Sequence, residues 1–273
     1  MQVGLHLPQF GRAAAPGAVQ RIAAAAEALG YDDVWASDHL VVPAEQRYPP
    51  PYLYDPLQTL AFAAASTRQI KIGTSVLVLP QYASPLALAN TLASLDNLSD
   101  GRLILGVGIG WSQGEYEALN APFSDRGARL DDIIGLFRAA WSDDPINYDG
   151  RFYKVNDIRL LPKPAHRIPI WIGGSSERAL ARAAALGDGY HGINVKASDA
   201  RRLVDSLRER RPEPEFTISM RLTVPPTRTG AEVATDLAAY ADAGVQHCVL
   251  VPESGDDSTW LECATQWAAG LEP

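Results

Sequence analysis

Cysteine is scarce: Cys248 and Cys263 are the only two among 273 residues. Two thiols cannot build a disulfide framework or a four-thiolate metal site, so both are read as core residues. Histidine is nearly as sparse, at five. His166, His191 and His247 are scattered without metal-ligand spacing, and no metal site is expected. No apolar run approaches the roughly 18 residues of a membrane span. The N-terminal MQVGLHLPQF lacks the basic, apolar, small-residue order of a signal peptide, so a cytoplasmic location is expected. Positive charge is in deficit, 24 Lys and Arg against 32 Asp and Glu, and the net charge of -8 disfavours nucleic acid and anionic membrane as partners. Low-complexity tracts and short-period repeats are missing too, so residues 1–273 are read as one domain. With 47% hydrophobic residues, the chain is long enough to bury a substantial core.

What is present is alternation. Strand-length apolar runs fall at Val3 to Leu7, Asp33 to Ser37, Ile70 to Val78, Leu103 to Val107, Ile168 to Ile172, Gly189 to Ile193, Phe216 to Thr223 and His247 to Val251. Helical patterns lie between and after them, at Gly17 to Leu29, Pro56 to Ala65, Pro85 to Leu98, Arg126 to Trp141, Ser176 to Leu186, Ser198 to Arg210, Gly230 to Ala243 and Ser258 to Ala268. In the first of these, Val19, Ile22, Ala23, Ala26 and Leu29 recur at three- and four-residue spacing and mark one buried stripe. An open doubly wound sheet also alternates in this way. Eight strand–helix pairs in this length fit a closed eight-stranded α/β barrel better, the TIM (β/α)8 barrel with insertions. The insertions are Leu40 to Asp55, rich in proline and tyrosine, and Ser142 to Arg167; such long connections in a compact domain are usually lids or functional additions.

In such a barrel the chemistry gathers at the C-terminal strand ends. The second strand closes as VWASDHL, which puts Asp38 and His39 at the rim. His39 is either a local hydrogen-bonding residue or a proton-transfer group, imidazole being the side chain matched to neutral pH. The aromatic insertion Tyr48 to Tyr54, Tyr52 within it, can cover the mouth. The fourth strand ends LILGVGIGW, where Gly106, Gly108 and Gly110 share one parity. They strip one face of bulk, either for something flat to approach the backbone or for tight packing and bulges. The dinucleotide fingerprint GxGxxG is not met. The fifth strand runs IPIWIGG into SSERALARAAALGDGY, where Gly173, Gly174 and Ser175 precede a helix start that suits a phosphate or serves as a plain cap. Arg201, Arg202, Arg208, Arg210 and Arg211 read as a solvated basic face rather than a grip on an acidic tail. His6 on the first strand either faces the pocket or is buried structure.

These segments, with KIGTSVLVLPQYASPLALANTLASLDNLSDGRLILGVGIGW, FSDRGARLDDIIGLFRAAW, GRFYKV and LLPKP, resemble the bacterial luciferase-like flavin and deazaflavin oxidoreductases along nearly the whole chain. The resemblance is closest to the branch dependent on coenzyme F420. It implies a luciferase-like barrel holding a deazaflavin ring at its mouth, FMN being the alternative cofactor. It further implies a cis peptide between Ser75 and Val76 against the ring, Asp38 near the ring, and Gly108 and Ile109 along its edge. The amides of Gly173, Gly174 and Ser175 would hold the cofactor phosphate, and His39 would be the acid or base. Some sugar dehydrogenases of that branch carry a glutamate where this chain has Trp111, a departure from their alcohol chemistry that makes Trp111, with Tyr52, a candidate substrate wall. Glu115 and Glu117 follow on a predicted helix and read as solvated.

The implied activity is hydride transfer between the deazaflavin and a small organic substrate, the two meeting at roughly 3 to 3.5 Å. Rival readings are an FMN-dependent monooxygenase using reduced flavin and oxygen, and a non-catalytic flavin-binding protein. Expected partners are the substrate, a separate reductase supplying reduced cofactor, and a second copy packed on Pro56 to Ala65 and Pro85 to Leu98.

Overall fold

The structure is a computed structural model describing residues 1–271. Its strands are β1 (Gln2–His6), β2 (Asp33–Ala36), β3 (Lys71–Thr74), β4 (Leu77–Val78), β5 (Leu103–Gly108), β6 (Ile146–Asp149), β7 (Lys154–Ile158), β8 (Ile170–Gly173), β9 (Gly189–Ile193), β10 (Thr217–Val224) and β11 (His247–Pro252). Its helices are α1 (Ala18–Ala28), α2 (Pro56–Ala65), α3 (Pro85–Leu98), α4 (Gln113–Ala118), α5 (Arg126–Ser142), α6 (Glu177–Leu186), α7 (Ala197–Arg210), α8 (Gly230–Asp242) and α9 (Asp257–Ala268).

Eight parallel strands close on themselves. The ring runs β1, β2, β3, β5, β8, β9, β10, β11 and returns to β1, with the joints β1–β11 and β3–β5 excluding an open sheet. All eight expected strands take part, so the α/β barrel reading holds. The third differs in detail: Ile70 to Val78 divides into β3 and β4, and the Ser75–Val76 bond between them is cis. The insertion from Ser142 contains an unanticipated antiparallel hairpin, β6 with β7. Its strands are largely exposed and carry no apolar alternation, but the Asp149-Gly150 pair at the turn is a hairpin signal.

Local chemistry sets the helix starts. Asp55 accepts from the Gln58 amide before Pro56, and Ser84 accepts from the Ala87 amide before Pro85; both place an oxygen cap before a proline that has no amide to satisfy. On α1 the residues Val19, Ile22, Ala23 and Ala26 are buried, as the spacing requires. Among the described residues no helix is long and apolar enough to cross a membrane.

The inside of the barrel is unusual in its filling. Branched aliphatics commonly dominate such interiors; here Trp35, Trp171, Ile104 and Val249 form a cluster of their own. The Trp35 ring lies 5.4 Å from that of Trp171 and 5.1 Å from the His191 ring, nearly parallel to the latter at 6°. Glycine makes the room. A Cβ on Gly73 would stand 2.6 Å from the Trp35 ring, and one on Gly4 would stand 1.9 Å from Asp33 Oδ1 and 2.7 Å from Trp35 Nε1.

Candidate active site

The C-terminal ends of the strands enclose a cavity of about 380 Å³, lined among others by Asp38, His39, Ser75, Val76, Trp111 and Arg221. β2 delivers Asp38 and His39, the β3–β4 break delivers Ser75 and Val76, the loop after β5 delivers Trp111, and β10 delivers Arg221. Tyr48 lines the same space but Tyr52 does not, which corrects the expectation for Tyr52. The backbone explains it: Gly11 donates to the Tyr52 carbonyl at 2.7 Å, and Phe10 bridges Leu53. The Tyr52 ring packs edge-on against Tyr54, whose hydroxyl donates to the Ala14 carbonyl, on the α1 side of the insertion.

His39 is paired. Its Nδ1 lies 2.8 Å from Glu115 Oε1, and Glu115 is 2% exposed. Glu115, expected to be solvated, is instead the buried partner of the candidate acid or base. The helix α4 was legible, but its short length hides which face is covered; Gln46 of the insertion closes over it, donating to Glu115 Oε1 and accepting from the Ser112 hydroxyl. Glu117 is exposed, as expected. A carboxylate at Nδ1 fixes that nitrogen as the donor and leaves Nε2 for other partners. The edges of Tyr48 and Trp111 flank the ring, each 6.4 Å away.

Asp38 is buried; its Oδ2 accepts from the Val78 amide at 2.8 Å and the Tyr82 hydroxyl at 3.3 Å, while Oδ1 has no partner. Burial raises its carboxyl to about 7, against the opposing pull of the Val78 amide and of His39. The folded chain therefore keeps a proton that the unfolded chain releases near pH 4. The stability this group contributes is whole below about pH 4 and is lost as pH rises through about 7. Asp38→Asn, of the same shape, is expected to remove that slope. Urea denaturation at pH 4.5 and 7.5 should show the variant gaining on the wild type by roughly 4 kcal/mol at most between the two; a constant gap would disprove the assignment.

Arg221, also buried, donates from Nη1 to the Ser37 hydroxyl at 3.0 Å and the Ser75 carbonyl at 3.3 Å. It forms no salt bridge among the described residues, and nothing in the sequence marked it.

Gly108 and Ile109 do not line the cavity, and the room left by the glycines of β5 is already taken. A Cβ on Gly106 would meet the Thr74 carbonyl oxygen at 2.0 Å, and one on Gly108 would meet Val76 Cγ2 at 2.7 Å. The glycines admit the chain's own bulge. Gly173 packs against Val76 as well, and Gly174 and Ser175 are exposed before α6, whose cap is Ser176 accepting from the Ala179 amide. None of the three lines the cavity. The arginines of α7 divide: Arg210 pairs with Glu177 and Arg201 donates to the Asp242 carbonyl, local contacts on the outer surface. His6 is buried against Ser37 and the Leu7 carbonyl. Among the described residues no group of three or more His, Cys, Asp or Glu side chains could hold a metal ion.

A family model described as luciferase-like monooxygenase matches residues 1–266. The chain is 32% identical over 200 residues to an F420-dependent glucose-6-phosphate dehydrogenase of Kineococcus radiotolerans, covering 71% of this chain and 58% of that one. With the protein of the same name from Beutenbergia cavernae it shares 29% over 266 residues, covering 91% and 78%. The chain thus spans little more than half of the Kineococcus protein, and 54% of another such dehydrogenase from Amycolatopsis mediterranei. Among solved structures it matches a monooxygenase from Streptomyces bottropensis with TM-score 0.84 at 20% identity, over 99% of this chain and 98% of that one. It matches an F420-dependent secondary alcohol dehydrogenase with TM-score 0.83 at 17% identity, over 99% of each. At such identities the likeness is one of fold.

Proposed function

The chain belongs to the luciferase-like monooxygenase family, and on that premise we propose that it is a coenzyme F420-dependent oxidoreductase moving a hydride between the deazaflavin and a small organic substrate. The observation that carries this reading is the His39–Glu115 pair at the wall of the cavity, beside Asp38 and the Ser75–Val76 bulge. The naming of the dehydrogenase relatives supports the cofactor. The residues suit such a group: Asp38 Oδ1 is buried without a partner, an oxygen that a ring N–H satisfies. Gly173, Gly174 and Ser175 are the proposed phosphate contacts, at the start of a helix where free amides favour an anion.

When bound, the deazaflavin supplies the carbon that gives or takes the hydride. His39 handles the accompanying proton at Nε2, its Nδ1 being held by Glu115. Trp111 forms an apolar wall for the substrate and His39 stands against its edge. Gly108 is proposed to support the ring edge from behind through Val76, with Ile109 following it at the same strand end.

The same proposal includes a separate reductase supplying reduced cofactor and a homodimer through α2 and α3, where Phe62 and Leu98 are exposed. A cytoplasmic location belongs to it as well, since two buried free thiols suit a reducing compartment.

Anaerobic titration of the purified protein with F420 and FMN in parallel tests the assignment. F420 is expected to bind more tightly by about tenfold or more, and its absorbance to change on turnover with small alcohols or carbonyls. Tighter FMN binding with oxygen consumed per reduced flavin would replace the reading with a monooxygenase. Binding without turnover on any substrate would leave a cofactor-holding protein.

A further inference from the structure

Beneath the cavity lies a row of buried polar side chains that the proposed chemistry does not use. Ser75 Oγ lies 2.8 Å from His191 Nε2, His191 Nδ1 lies 2.8 Å from Ser219 Oγ, and Ser219 Oγ lies 2.7 Å from His247 Nδ1. His247 Nε2 lies 2.9 Å from Asp33 Oδ1 and 3.0 Å from Oδ2. The row crosses the barrel from β9 through β10 and β11 to β2, against the faces of Trp35 and Trp171. All five side chains are at most 2% exposed. His191 and His247, scattered in sequence, are joined here by one serine.

A carboxylate only accepts, whereas a serine hydroxyl has a single proton to give. Asp33 therefore takes its hydrogen bonds from the His247 Nε2–H and from the indole N–H of Trp35. That leaves His247 Nδ1 as an acceptor, which claims the Ser219 proton. Ser219 oxygen must then accept from His191 Nδ1–H, and His191 Nε2 claims the proton of Ser75. The alternative is a doubly protonated His247, which would reverse every link. It would put three ionised groups close together, the imidazolium, the Asp33 carboxylate and the Arg221 guanidinium at the cavity side, where a neutral ring leaves two, and each further buried charge carries a desolvation cost. Burial, with the Arg221 guanidinium nearby, holds His191 well below its ordinary value, in the neutral form that the row requires.

We infer that Asp33 sets the direction of this row, so that Ser75 offers the cavity oxygen lone pairs and never its proton, and selects a ligand that presents an N–H or O–H at that wall. The inference rests on the reading that the cavity receives the deazaflavin and its substrate. Ser75 is a contact residue under it; Asp33, His247, Ser219 and His191 are positioning residues.

The direction is readable without any ligand. Long-range ¹⁵N–¹H correlation spectra of the histidine rings in the cofactor-free protein should find His191 in the Nδ1–H form and His247 in the Nε2–H form. His191 as Nε2–H, or His247 doubly protonated, would overturn the inference even if F420 binds. In Asp33→Asn the amide can donate to His247 Nε2, and both rings are expected to exchange tautomers; unchanged tautomers in a folded variant would remove Asp33 from the role. Ser75→Ala should weaken F420 binding by about two- to tenfold, the loss of one hydrogen bond, and an unchanged affinity would refute the contact. If F420 fails to bind the wild type while the tautomers are as stated, it is the functional reading that falls and the direction of the row that stands.

Discussion

His39→Ala should lower kcat by about 10² to 10⁴ while the dissociation constant for F420 stays within about threefold of the wild type. The size follows from what is removed: the one imidazole at the cavity wall whose second nitrogen is held by a buried carboxylate. Glu115→Gln tests the pairing separately. It keeps an acceptor opposite Nδ1 but removes the charge, so its kcat should fall between those of wild type and His39→Ala. Steady-state rates combined with cofactor titration give both quantities. Full activity in His39→Ala would exclude it as the proton-transfer group, and parallel loss of cofactor affinity would make it a binding residue instead.

Gly106→Ala is expected to destabilise the fold by about 3 kcal/mol or more, or to prevent folding. The added carbon would stand 2.0 Å from the Thr74 carbonyl oxygen and 3.2 Å from its carbon. Neither side can give way, since both are backbone of adjacent barrel strands and the Thr74 hydroxyl also donates to the Gly106 carbonyl. Gly127→Ala on α5 is the contrast. Its new carbon would meet only the end of the Arg182 side chain at 2.9 Å, and alanine is the better helix former by about 1 kcal/mol, so that variant should remain within about 1 kcal/mol of the wild type. Urea unfolding of the two variants beside the wild type decides the matter. Equal stability for Gly106→Ala would mean that the bulge at Ser75–Val76 can shift.

The barrel was legible because each strand and helix carries its own apolar period, and eight repetitions of that local pattern admit few closures. Asp38 and His39 were legible for a related reason: a strand end in a barrel points at the mouth whatever follows. Glu115 was not. Its burial depends on Gln46, 69 residues earlier, and a short helix with two glutamates gives no local sign of which one an insertion will cover. Tyr52 failed similarly, since only three prolines separate it from Tyr48 in a segment with no periodicity to say which ring turns inward. The polar row was invisible because its members are spread over four strands and the β3–β4 break, and each histidine taken alone is only a polar residue in an apolar run. The glycines of β5 were marked correctly as a stripped face, but sequence could not say that the chain itself fills the space.

The seating of Trp35 has an evolutionary corollary. Its indole occupies the volume that side chains at Gly4 and Gly73 would need, and it donates to the carboxylate that begins the polar row. Positions 35 and 73 are epistatic: Gly73 cannot diverge while the tryptophan stays, and a smaller residue at 35 would free it while leaving Asp33 one donor short, whereas Gly4 stays blocked by Asp33 Oδ1 as well. Among homologues positions 35 and 73 should therefore drift together, and an exchange at 73 beside a retained tryptophan would signal a rearranged barrel interior.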